Sequence, residues 1–147
     1  MSRATRVTLV KTAPDALAAF GSIEEMFATC PVDPLLRHLV KLRISQINGC
    51  AYCVNMHTGE ARDDNETEAR LDHLVVWRNT DLFSAAEKAA LAWAEAMTVQ
   101  GSGADLGILH SELKVHFSQE EIDYLMLIIV MINTWNRLQV ANHNAAF

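Results

Sequence analysis

The chain has 147 residues, half of them apolar and a fifth charged, with a formal net charge of -6 at pH 7. That length is one ordinary domain able to bury a core, and the composition excludes a disordered chain. The acidic balance speaks against a nucleic-acid partner: Arg37, Lys41, Arg43, Arg62, Arg70, Arg78 and Lys88 are scattered among acids and form no basic block. Helical signals dominate from the start, and strand signals are nearly absent. Pro14 suits a first helical turn after Thr12 or Ala13, and Leu17, Phe20, Ile23, Met26 and Phe27 give a helical stripe. Asp33 is the expected N-cap of a helix from Pro34 to about Ile47, lined by Leu36, Leu39, Val40, Ile44 and Ile47. Asn48-Gly49 marks a break, so Cys50 is expected in the first turn of a new helix reaching about Arg62, before the turn Asp63-Asp64-Asn65.

Residues 66–77 read as one further helix, with Leu71, Leu74 and Val75 apolar. Ser84 to Glu87 is a capping box before an Ala-rich helix carrying Leu91, Ala94 and Met97. Gly101-Ser102-Gly103 makes a turn too short for a domain linker, and a short helix follows at 106–115. Ser118 to Glu121 is a second capping box, opening a last helix over 120–142. That helix is apolar nearly all round at 125–132, which places it centrally or at a subunit interface. The same run is far shorter than the roughly 20 residues that cross a bilayer. The mixed first dozen residues do not form a basic-then-apolar leader, so a cytoplasmic protein is expected. The reading is one all-α domain over residues 1–147, with about six or seven helices and no internal repeat.

Chemistry concentrates in Asn48-Gly49-Cys50-Ala51-Tyr52-Cys53-Val54-Asn55-Met56-His57. On a helix, residues three and four apart are surface neighbours, so both thiols and the imidazole share one face. Helical Cα atoms at the Cys50–Cys53 spacing are roughly 5 Å apart, within disulfide range. His57 can take a proton from Cys53 or return one, and only the thiolate is nucleophilic. Structural disulfides are rare in a reducing compartment, so the pair reads as redox-active or metal-binding. Cys50, Cys53, His57 and His38 would make a two-Cys, two-His zinc set, but a chain of this size builds a core without a metal. The residues alone leave open which sulfur attacks. Cys50 has the helix dipole, whereas Cys53 has His57 one turn on to protonate a leaving oxygen.

The block Val40-Lys41-Leu42-Arg43-Ile44-Ser45-Gln46-Ile47-Asn48-Gly49-Cys50-Ala51-Tyr52-Cys53, followed by Met56-His57, resembles the alkylhydroperoxidase AhpD-like core of the carboxymuconolactone decarboxylase superfamily. The likeness continues through Glu66 to Leu71, Trp77 to Thr80, Ala89 to Ala96 and Ile132 to Arg137. It implies an all-helical, oligomeric subunit, a homotrimer or homohexamer, that reduces hydroperoxides through its cysteine pair. Carried over residue by residue, Cys53 attacks the peroxide, Cys50 resolves the product as a disulfide, and His57 is the relay base. Well-known members carry a glutamate twelve residues before the first cysteine; here that position is His38, the fourth candidate site residue.

The redox cofactor is then the dithiol itself, recharged by an external dithiol or protein thiol. Gly49 and Gly59 form no phosphate loop, and no flavin or nicotinamide fingerprint appears. The alternative is a non-enzymatic helical protein that senses redox state or holds zinc. Cys30, His73, His110, His116, His143 and Tyr52 read as packing or surface residues, and Trp77, Trp93 and Trp135 as core or interface anchors. Arg137 is expected to pair with a buried acid, and Asp63, Asp64, Glu66 and Glu68 to form a solvated turn and helix start.

Overall fold

Among the described residues, 4–142 in this computed structural model, every regular element is helical. The order is α1 (Leu9–Thr12), α2 (Pro14–Met26), a 3-10 turn (Phe27–Thr29), α3 (Pro34–Ile47), α4 (Ala51–Asp63), α5 (Glu68–His73), a second 3-10 segment (Leu74–Asn79), α6 (Ala85–Thr98), α7 (Leu106–His116) and α8 (Gln119–Ala141). Eight α-helices thus replace the six or seven expected; the extra one is the single turn α1, which buries no side chain.

Helix α3 is the hub. Asp33 caps it by accepting the Leu36 N–H at 3.1 Å, and Pro34 supplies a first-turn φ. It packs against α4, α6 and α8, so both of its flanks are covered and Leu39, Val40 and Ile44 are fully buried. Removing each such side chain from water contributes about 1.5–3 kcal/mol. The expected capping boxes are both present, Ser84 with Glu87 opening α6 and Ser118 with Glu121 opening α8.

The end of α3 sets where the chemistry sits. Gly49 takes φ +66°, its N–H bonds the Gln46 carbonyl, and the Cys50 N–H bonds the Ser45 carbonyl. These two closures form a Schellman motif, whose left-handed residue glycine adopts without a Cβ penalty. Buried Asn136 of α8 ties down the same corner, donating to Ser45 Oγ and accepting from Asn48 Nδ2, each at 3.0 Å. The α3–α4 turn is therefore fastened to the last helix by a satisfied polar network. Helix α4 ends the same way: Asn65 takes φ +67° and the Glu66 N–H reaches the Ala61 carbonyl.

Three expectations fail here. The helix expected over 66–77 breaks after His73 into the 3-10 segment, with Val76 outside helical geometry. Residues three apart eclipse in a 3-10 turn, which sends Leu74 and Trp77 inward together and leaves Val75 and Val76 exposed. Glu66 is not solvated: the second Schellman motif turns it inward, where Arg70 pairs with it at 2.8 Å. Arg137 meets no buried acid; it is exposed and donates to the carbonyl and side-chain oxygen of Asn133. Helix α8 buries Leu125, Ile128, Ile129, Met131 and Ile132 but leaves Leu127 and Val130 nearly half exposed. His143 lies outside the described residues.

Candidate active site

Cys50 is the N-cap of α4, one position before the first turn expected for it. Its sulfur accepts the Cys53 N–H at 3.3 Å, so the thiol position also satisfies a helix-end donor. Cys50 and Cys53 form a disulfide with Cα atoms 5.3 Å apart, and both are buried. Only Cys53 of the two borders a cavity of about 390 Å³ between α2, α4, α8 and the N-terminal segment. Its walls are mostly apolar, with Leu17, Met56, Ile132, Trp135 and Leu138 among them. Exposed Tyr52 stands at the same cavity, next to Cys53.

His57 also lines that cavity and is almost fully buried. Its Nδ1 lies 2.8 Å from Glu60 Oε2, while its Nε2 is buried with no hydrogen-bond partner. Hydrogen bonding to His57 holds the Glu60 carboxyl below its usual value, with further help from the nearby charges of His57, Lys41 and His38. His38 is not at the cavity wall. Its Nε2 is 2.6 Å from Asp64 Oδ2, and its Nδ1 stands 3.9 Å from Glu60 Oε2, beyond hydrogen-bond reach. His38 thus meets His57 only across Glu60. Lys41, one turn further along α3, reaches Glu24 of α2 at 2.9 Å, and Glu24 accepts the Trp135 indole N–H at 2.9 Å.

Cys50, Cys53 and His57 come together as their spacing requires. Glu60, Lys41, Glu24 and Asp64 were missed as members of this polar cluster. For Glu60 a signal existed, since it follows His57 by three residues on the same helix face. Among the described residues, no three His, Cys, Asp or Glu side chains are arranged to hold a metal ion. No described helix is long and apolar enough to cross a membrane.

Residues 14–96, more than half of the chain and including the whole cysteine–histidine block, match the carboxymuconolactone decarboxylase family. The chain belongs to that family. The uncharacterized protein YdfG of Bacillus subtilis (strain 168) is 37% identical over 141 residues, covering 96% of each chain. YnjA of Escherichia coli (strain K12), also uncharacterized, is 32% identical over 111 residues, 76% of this chain and 60% of its own. Among solved structures, ATU0492 from Agrobacterium tumefaciens matches with a TM-score of 0.87 at 37% identity, covering 95% of this chain and 96% of that one. It is a protein of unknown function described as a candidate antioxidant defence protein AhpD. The debrominase Bmp8, in complex with 2,3,4-tribromopyrrole, gives 0.81 at 23% identity over 91% of this chain and 72% of its own, a likeness of fold alone. The AhpD-like resemblance and the all-helical fold expected from the sequence are both borne out.

Proposed function

We propose that this family member is a thiol-dependent peroxidase or disulfide reductase acting on organic hydroperoxides. The observation that carries the reading is the asymmetry of the cysteine pair. Cys53 and His57, whose Nε2 is unpartnered, line the same mostly apolar cavity, while Cys50 does not border it. In the reduced protein, His57 takes the Cys53 proton, and the thiolate sulfur attacks the outer peroxide oxygen. The O–O bond breaks, the alkoxide leaves with the proton from His57, and Cys53 becomes a sulfenic acid. The Cys50 sulfur then attacks Cys53, the S–O bond breaks, and water leaves as the disulfide forms. An external dithiol returns both cysteines to thiols, so one hydroperoxide and one dithiol yield alcohol, water and a disulfide.

The physiological reductant is then a dithiol or protein thiol, and the working compartment the cytoplasm. The working form is a homotrimer or homohexamer, since Leu127 and Val130 leave an apolar face on α8. A stable monomer in light scattering at micromolar concentration would remove that assembly. The decisive assay follows consumption of tert-butyl hydroperoxide by pre-reduced protein with dithiothreitol as donor. Sustained turnover is expected in wild type and none in Cys53→Ser. Absence of turnover, with a disulfide that forms only under diamide, would favour the redox-sensing alternative.

A further inference from the structure

We infer that Glu60 is a positioning residue of this site: it holds His57 through Nδ1 and so leaves Nε2 as the proton-accepting atom beside Cys53. A carboxylate only accepts hydrogen bonds, so the 2.8 Å contact from Nδ1 to Glu60 Oε2 requires the imidazole to donate there. The neutral ring must then carry its lone pair on Nε2, the nitrogen that is buried and unpartnered. Cys53 lies one turn earlier on the same helix face and lines the same cavity wall. When Nε2 takes the thiol proton, the resulting imidazolium already faces a carboxylate, so the charge forms where it is stabilised. The same proton later leaves Nε2 for the alkoxide oxygen, and the Nδ1 proton never moves.

Glu60 is itself flanked by basic side chains. The groups facing it are His57 on its own helix and His38 and Lys41 on α3. Lys41 is held by Glu24 of α2, and His38 by Asp64 at the end of α4. The carboxyl is thereby kept ionised through the range in which a histidine titrates. His38 acts here on Glu60 rather than on His57, which explains how an imidazole twelve residues before Cys50 belongs to the cluster without touching the cavity.

Glu60's role in turnover presupposes the thiol chemistry proposed above; its hold on His57 does not. The test therefore reads His57 and Cys53 directly, in reduced protein without peroxide. Nitrogen-15 NMR gives the His57 tautomer, and iodoacetamide alkylation across pH gives the Cys53 thiolate profile. Glu60→Gln keeps an acceptor for the Nδ1 proton, so the tautomer should persist. Glu60→Leu should lose the tautomer preference, and Glu60→Asp should restore it in part. The Cys53 alkylation profile should shift in both Gln and Leu variants. An unchanged tautomer in Glu60→Leu overturns the assignment whether or not the protein reduces peroxides. If the His57 effects appear but no peroxide is consumed, the positioning role stands and the peroxidase reading falls.

Discussion

Cys50 carries two separable duties, and replacing it by Ser or Ala pulls them apart. Its sulfur closes a ring of only four residues with Cys53, at a sequence separation of 3. In the chain-entropy account, a loop that short restricts the unfolded state by about 2 kcal/mol. Its sulfur also caps α4 by accepting the Cys53 N–H. Serine preserves the cap, whereas alanine removes it at a cost of about 1 kcal/mol. Under reducing conditions Cys50→Ser should thus match wild type, and Cys50→Ala should melt about 2–4 °C lower. Oxidised wild type should melt above all three reduced proteins. Paired thermal melts with and without dithiothreitol read these differences, and mass spectrometry after one equivalent of peroxide reads the chemistry. Wild type should lose two hydrogens, while either variant should stop with a single added oxygen on Cys53. Equal melting of the reduced Ser and Ala variants would refute the capping argument. A disulfide mass in either variant would refute the pairing.

His57→Gln should slow peroxide-driven oxidation of Cys53 by roughly 10²–10⁴ in stopped flow, with little loss of stability because Glu60 is half exposed and resolvates. Gly49→Ala should destabilise by about 1 kcal/mol in urea titration, wholly through the positive φ, because no atom lies within 4 Å of the added Cβ. Acid should weaken the fold through the three part-buried carboxyls held below their ordinary value. In Glu60 the cause is first the hydrogen bond from His57. In Glu87 and Glu95 burial pushes the other way but is outweighed by hydrogen bonds, from Arg70 and Ser84 to Glu87 and from Trp77, Arg43 and Arg78 to Glu95. Their contribution is complete above the unfolded carboxylate value of about 4.3 and is lost as pH falls through the lower folded values. Denaturation midpoints should therefore decline only below that pH; a decline beginning near neutrality would contradict the assignment.

The local chemistry was legible from residue order, because hydrogen bonding within a turn or helix depends only on near neighbours. Asp33, Ser84 and Ser118 cap their helices as read, and the three- and four-residue steps from Cys50 to Cys53 to His57 bring those groups together wherever that helix lies. What residue order alone did not decide was how far-separated elements meet. Leu74 and Trp77 had to enter one core, and that packing broke the helix that the 66–77 pattern suggests. Glu66 reads as a solvated acid until the turn at Asn65 aims it at Arg70. His38 reads as a relay member by its offset from the cysteines, yet only the packing of α3 on α4 sets Glu60 between it and His57. The cavity belongs to tertiary structure altogether, since its walls include residues of α2, α4 and α8 as far apart in sequence as Leu17 and Gln139. Periodicity names which side of a helix is apolar, but only packing decides whether that side meets a core, a cavity or another helix.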